Sequence, residues 1–130
     1  MAKDLRHFLE QYEQDHPEDV VTIEKPLSLK HEIGILIDQL DRERKFHLLR
    51  IKNPILCNGK PSEIEVIMNE IGSRGKLAYA MRSNWEAVSQ DWRRLALENR
   101  QKPVVISREE APVKEQVLKG DDVDLLRYPA

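Results

Sequence analysis

Histidine, cysteine and acidic side chains are the residues of this sequence that could bind metals or transfer protons. The four histidines, His7, His16, His31 and His47, show no ligand spacing such as His-x-x-x-His. They fall on separate predicted elements, and His47 lies within an apolar stretch. We interpret them as surface or edge-facing histidines and predict no metal ligands.

The single cysteine, Cys57, follows Ile55-Leu56 and precedes a turn. Nucleophilic thiolates form beside a helix N-terminus or a cation, and neither is evident nearby in the sequence. We therefore predict that Cys57 is a small buried or half-buried residue. One cysteine also excludes an internal disulfide framework and a cysteine-rich zinc site, so a reducing, cytoplasmic location fits best.

The segment from Gly72 to Lys76 could hold a phosphate, because a predicted strand runs into a turn and then into a helix. Its glycine spacing matches neither the P-loop nor the Gly-x-Gly-x-x-Gly pattern. We predict a helix capped by Ser73 that carries two basic residues, Arg74 and Lys76. Weak anion binding at this helix start is the alternative.

The acidic residues Asp121, Asp122 and Asp124 could be taken for a calcium loop. An EF-hand needs a glutamate at its twelfth position, and the sequence ends before that position. We predict a solvated acidic turn. The other acids fall on predicted polar faces, without the burial in unequal surroundings that acid–base catalysis needs. We therefore assign no catalytic, cofactor-binding or metal-binding residue in this chain.

Two tryptophans, Trp85 and Trp92, lie seven residues apart on one face of a predicted helix. We interpret them as interior or interdomain packing residues. A nucleic-acid stacking surface that uses Arg93, Arg94 and Arg100 is the alternative. The 21 basic and 23 acidic residues leave a net charge of −2, which argues against nucleic acid and against anionic membranes.

The elements that must position these residues follow from apolar periodicity. The 130 residues are 40% hydrophobic, which is enough for one core, and no apolar run reaches the roughly 18 residues of a membrane span. The first residues lack the apolar core of a signal peptide. Four helices are predicted after N-caps at Asp4, Ser28, Ser73 and Asn84. Four strands are predicted at residues 20–23, 46–51, 64–68 and 104–106.

The order of these elements predicts an α/β (α+β) fold: a small mixed sheet covered by about four helices, in a single domain. Gly34 is expected to mark a close contact between the second helix and the sheet. We assign residues 1–108 to the domain and residues 109–130 to an acidic connector, extended at 112–119. We expect Leu125, Leu126 and Tyr128, with or without one of the tryptophans, to form an exposed apolar patch, where the chain stops before its partner.

Five segments match one known family in order and spacing: Asp4 to Leu9, Pro26 to Ile33, Phe46 to Asn53, Val66 to Arg74 and Pro112 to Leu125. Together they resemble the N-terminal region of the UbiD family of prenylated-FMN-dependent decarboxylases, which are 3-octaprenyl-4-hydroxybenzoate carboxy-lyase-like. Two features depart from the family pattern. Arg50 and Ile51 replace the aromatic–acid pair that is usual in the family. The loop 55–63 lacks the glycine-rich, proline-containing sequence that is usual there.

The resemblance implies a reversible, non-oxidative (de)carboxylase that acts on an aromatic or α,β-unsaturated carboxylic acid. In that family the prenylated FMN, a divalent metal (with or without potassium) and a glutamate–arginine–glutamate catalytic set all lie downstream of the segment matched by residues 120–125. We therefore expect this chain to be a packing module without a cofactor of its own. Its partner would be either the remainder of the decarboxylase or a separate subunit. The complete enzyme would be a homo-oligomer. A stand-alone small-anion-binding or regulatory α/β module is the alternative.

Overall fold

Helices and strands alternate through the first part of the computed structural model, which describes residues 4–98 and 103–129. The helices are α1 (Leu5–Asp15), α2 (Glu32–Arg42), α3 (Arg74–Met81) and α4 (Val88–Glu98). The strands are β1 (Val20–Ile23), β2 (Leu27–Ser28), β3 (Leu48–Ile51), β4 (Pro54–Ile55) and β5 (Val66–Met68). Short 3-10 turns lie at Pro17–Asp19, Pro112–Lys114, Gly120–Asp122 and Leu125–Arg127.

The main sheet has three strands, with β3 in the centre. β3 pairs in parallel with β1, so that Val20 lies opposite Leu48, and antiparallel with β5, so that Leu49 lies opposite Met68. Parallel neighbours cannot be joined by a tight turn, and α2 lies in the long connection between β1 and β3. β2 and β4 form a separate two-stranded parallel sheet. A small mixed sheet with four helices is confirmed for residues 4–98 and 103–129.

The core surrounds β3. Leu48, Leu49 and Ile51 are each no more than 2% exposed, so neighbouring residues on both faces of this strand are buried. Burial on both faces is typical of a strand that has parallel pairing and cover from helices. Tyr12 of α1 and Ile33 of α2 are also buried, so both helices contribute to the apolar interior.

Three of the predicted N-caps are confirmed. The side chains of Asp4, Ser73 and Asn84 each accept a hydrogen bond from the backbone N–H three residues later, at 2.8, 3.2 and 2.8 Å. Such bonds satisfy the amides that the first turn of a helix leaves without partners. α1 ends at Asp15, before His16-Pro17, as the proline predicts.

Ser28 does not cap α2, which corrects the prediction. Ser28 belongs to β2, where it pairs with Ile55, so the chain is still extended at this position. The helix begins at Glu32, after a turn that includes Leu29 and Lys30. His31 precedes it without a capping side-chain bond. The Glu32 carboxylate instead accepts the backbone N–H of Ser28 at 2.6 Å.

The predicted strand at 104–106 is also wrong. Val104 and Val105 are 85% and 93% exposed and form no strand, because no described strand lies alongside them to accept their hydrogen bonds. The stretch predicted to be extended at 112–119 begins instead with a 3-10 turn. The acidic turn is confirmed at Gly120–Asp122, where Gly120 has a positive φ of 58°.

Smaller differences concern boundaries and one glycine. The strands predicted at 46–51 and 64–68 each begin two residues later, at Leu48 and Val66. A Cβ added to Gly34 would meet no atom within 4 Å, so the expected close contact between helix and sheet is absent at Gly34.

Candidate functional site

The histidines predicted to lie at the surface do not converge. His7 lines a small cleft of about 260 Å³, His16 packs its ring against Tyr12 at 4.9 Å, and His31 precedes α2. Across residues 4–98 and 103–129, no group of three His, Cys, Asp or Glu side chains could hold a metal ion. Cys57 is exposed, so the predicted burial is wrong: the apolar neighbour Leu56 turns inward and the thiol faces solvent.

Asp19 is the centre of a polar cluster that links α1, the 3-10 turn Pro17–Asp19, α3 and the segment before β3, which we call the Asp19 cluster. Its carboxylate accepts the Tyr12 hydroxyl at 2.5 Å and pairs with the Lys76 ammonium at 3.1 Å. His47 Nδ1 lies 3.2 Å from the carboxylate without forming a hydrogen bond. Lys76 is only 2% exposed and also donates to the carbonyl of Phe46. Buried charges need partners of this kind, so the cluster fixes the packing of α3 on the sheet.

The electrostatics of the Asp19 cluster favour a structural role. Burial and the hydrogen bond to Asp19 raise the pKa of Tyr12 above its ordinary value. The phenol therefore stays protonated and keeps donating to Asp19 across the neutral range. A hydroxyl that holds its proton this firmly is a poor acid catalyst at neutral pH.

A second ionic cluster is centred on Arg50, one of the two residues that replace the aromatic–acid pair of the family pattern. Arg50 bonds Glu65 and Glu13, both at 2.7 Å, and Lys52 reaches Glu65 at 2.9 Å. The Arg50 guanidinium lowers the pKa of Glu65, and Glu65 in turn raises the pKa of Arg50. Acid–base catalysis by two carboxylates needs surroundings that move their pKa values apart. Here the Arg50 guanidinium bonds both carboxylates, so these residues form an ion-pair network between α1 and the sheet.

An aromatic cluster joins α1 to α3. The Tyr79 ring meets Tyr12, Phe8 and His16 edge-on, with centroids 5.0, 6.1 and 5.3 Å apart. The Tyr79 hydroxyl donates to Asp15 at 2.6 Å, and this bond raises the pKa of Tyr79 to about 12. Edge-to-face rings of this kind stabilise packing beyond the apolar area that they bury.

The basic residues at the start of α3 already have partners. Arg74 donates to the Trp85 carbonyl at 2.8 Å and lies 5.6 Å from the Trp85 ring centroid, while Lys76 turns inward to Asp19. Ser73 caps the helix. An anion at this helix start would have to displace these contacts, so the structure gives the anion-binding alternative no free cation at this position.

Trp85 and Trp92 are 57% and 59% exposed, so they are not interior residues, and interdomain packing stays a prediction. α4 packs on α3, and Trp92 and Leu97 of α4 are exposed. Trp92 borders an apolar groove of about 690 Å³ between the two helices, which we call the α3–α4 groove. Its other apolar lining residues are Ile71, Leu77 and Val88.

The nucleic-acid alternative gains no support from this surface. The Arg74 guanidinium already lies over the Trp85 ring, and Arg94 pairs with Asp91 at 3.0 Å. Arg100, which that alternative also used, lies outside the described residues. Leu125 and Leu126 are exposed, as the sequence predicts. None of the helices at 4–98 or 103–129 has the length and apolar character needed to cross a bilayer.

Comparison with protein families gives one reported match, to the 3-octaprenyl-4-hydroxybenzoate carboxy-lyase N-terminal domain, over residues 13–96. Searches among curated proteins and among solved structures return no match. The matched range includes all five strands, α2, α3 and most of α4, and it covers well over half of the chain. The chain therefore belongs to the UbiD N-terminal domain family.

Proposed function

We propose that this chain is the N-terminal packing domain of a UbiD-like reversible, non-oxidative (de)carboxylase that acts on an aromatic or α,β-unsaturated carboxylic acid. The observation that carries the proposal is the family match over residues 13–96. Residues 1–108 form the domain and residues 109–130 the connector. We also propose that the complete enzyme is cytoplasmic and oligomeric, and the exposed thiol of Cys57 suits a reducing compartment.

The family implies prenylated FMN with a divalent metal, and the charged side chains of the Asp19 cluster, of the Arg50 cluster and of the start of α3 do not fit that group. A flavin phosphate needs free cations or amides, but Arg74, Lys76 and Arg50 are each held by protein partners. A metal needs clustered carboxylates or histidines, and Glu65 is already paired with Arg50. These contacts support a division of labour in which another part of the enzyme holds the cofactor and performs the chemistry.

The α3–α4 groove supports the packing role. Exposed tryptophans that border an apolar groove are typical of protein interfaces, where aromatic side chains dominate the binding energy. Trp92 stands at the edge of the groove and is not engaged by an arginine as Trp85 is. We infer that the remainder of the decarboxylase covers this groove, with Trp92 as the main anchor.

The non-catalytic role is tested with the purified chain. The chain is supplied with prenylated FMN and a divalent metal, and CO2 release is measured from a panel of aromatic and α,β-unsaturated acids. We expect no release above the protein-free control. Turnover by this chain without another protein would overturn the proposed role.

The packing role is tested by binding to the separately expressed cofactor-binding region of the parent decarboxylase. Trp92→Ala should weaken binding by about 30-fold, the effect of losing one interface anchor. Ile35→Ala is the matched control, since Ile35 is equally exposed but lies on α2. Equal effects of the two substitutions would show that the α3–α4 groove is not the interface.

A further inference from the structure

The end of the described chain returns to the domain. The side-chain amide of Asn58 donates to the carbonyl of Leu126 at 2.9 Å, across 68 positions of sequence. Between the two partners, Val104, Val105 and Val113 are exposed, so most of the preceding segment has little contact with the core. The contact at Leu126 is therefore a specific point of attachment in an otherwise exposed stretch.

The Asn58 side chain is held ready for this bond by its own turn. Its Oδ1 accepts the backbone N–H of Lys60 at 3.0 Å, which fixes the orientation of the amide. The Nδ2 donor is then directed away from the turn and toward Leu126. Gly59 makes the turn possible, because its φ of 82° is unfavourable for other residues.

The returning segment is shaped locally as well. The Asp124 carboxylate accepts the N–H of Leu126 at 3.0 Å and lies 3.6 Å from Arg127, which holds the 3-10 turn Leu125–Arg127. This turn presents the Leu126 carbonyl to Asn58. It also leaves the side chains of Leu125 and Tyr128 on the outside.

A second attachment lies three residues further on. Pro129 is half-buried and lines a cleft of about 420 Å³ between α2 and β5. The other residues that line this cleft, which we call the α2–β5 cleft, are Leu29, Ile33, Gly34, Val66, Ile67 and Met68. Gly34 leaves the cleft open, because no atom lies within 4 Å of the position that its Cβ would occupy.

We propose that residues 124–129 form a strap that docks on the domain at two points, the Asn58 amide and the α2–β5 cleft. The docked strap closes the acidic connector into a loop and presents Leu125, Leu126 and Tyr128 outward as a fixed apolar edge. One exposed hydrogen bond and one half-buried proline hold it, so each attachment contributes a large share of the docking. This inference does not depend on the proposed decarboxylase.

The strap is tested first by backbone ¹⁵N relaxation of the full chain, which needs no spin label. In a docked strap the amides of residues 125–128 have order parameters near the rigid value of about 0.85, and a free tail gives values below about 0.6. Asn58→Asp keeps the acceptor for Lys60 and removes the donor to Leu126, so it should shift these amides toward the free value. Flexible amides in the unmodified protein would refute the strap.

The cleft is tested with a matched pair at Gly34. Gly34→Leu fills the space that Pro129 uses and should release the strap, whereas Gly34→Ala adds one methyl group in open space and should leave it docked. A spin label on Cys57, beside Asn58, reports the same equilibrium. It should broaden the amides of residues 125–128 in the Gly34→Ala protein and several-fold less in the Gly34→Leu protein. Equal broadening in the two variants would remove the cleft from the proposal.

Discussion

The ion pair between Asp19 and Lys76 is the contact whose loss should cost this domain most. Lys76 is 2% exposed, and its ammonium has two described oxygen partners, the Asp19 carboxylate and the Phe46 carbonyl. Asp19→Asn preserves the shape of the side chain and its ability to accept the Tyr12 hydroxyl. It removes the negative charge, so the Lys76 charge remains buried with only neutral partners.

The size of the effect follows from burial. Removing one partner of a fully buried ion pair costs about 3–5 kcal/mol, because the remaining charge stays out of water. The Asp19 side chain is 28% exposed, so solvent already screens part of the attraction. We therefore expect Asp19→Asn to lower the free energy of unfolding by about 2–3 kcal/mol, a large part of the roughly 5–15 kcal/mol of a typical domain.

The assay is urea unfolding followed by far-UV circular dichroism, since the exposed tryptophans are weak reporters of the core. For an m-value of about 2 kcal/mol/M, the midpoint should fall by about 1–1.5 M while the slope stays unchanged. Asp38→Asn is the control, because Asp38 pairs with Arg42 at 2.9 Å in an exposed position. That substitution should cost about 0.5 kcal/mol or less.

A double substitution separates loss of the pair from loss of shape. In Asp19→Asn combined with Lys76→Met, no charge remains buried, so stability should recover toward that of the unmodified protein. If Asp19→Asn destabilises the domain no more than Asp38→Asn does, the buried pair does not stabilise the fold in the way argued.

Three other substitutions test single contacts. Arg50 lowers the pKa of Glu65, so ionised Glu65 stabilises the fold above its unfolded pKa near 4.5. This stabilisation is lost as the pH falls through the lowered pKa. Glu65→Gln should therefore make the urea midpoint fall less steeply with decreasing pH, and an equally steep fall would contradict the ion pair. Asp15→Asn should return the pKa of Tyr79 from about 12 toward 10.0 in a tyrosinate absorbance titration, and an unshifted titration would contradict the hydrogen bond. Ser73→Ala should lower the unfolding free energy by about 1 kcal/mol, whereas Ser73→Asp should keep most of it; equal losses would argue against capping.

Local features of the fold could be predicted because local groups determine them. Asp4 and Ser73 cap helices through bonds to residues three positions away, and Pro17 ends α1 through its own geometry. Ser28 has the same chemistry but failed as a cap, because its pairing with Ile55 is decided by a strand far along the chain. Propensity cannot show such a partner.

The Asp19 cluster was missed for the same reason, although one signal pointed to it. Asp19 and His47 immediately precede β1 and β3, and the parallel register places Val20 opposite Leu48. Parallel neighbours that are each preceded by a polar residue bring those residues together at one end of the sheet, but the sequence predicted neither this pairing nor a strand that begins after His47. The buried Lys76 gave no comparable signal, because a lysine in a helix ordinarily predicts a solvated face.

The position of the α3–α4 groove is set from inside the domain. Lys76 of α3 is fixed by Asp19, and Tyr79 is fixed by the rings of α1, while Leu77, between them in sequence, lines the groove. A helix held at two points on its inner side cannot rotate, so Leu77 and the packed helix α4 present a formed surface to a partner. Preformed surfaces lose less conformational entropy on binding. The polar and aromatic clusters therefore position the groove from inside the domain, and Trp92 at its edge is the residue that we propose contacts the remainder of the decarboxylase.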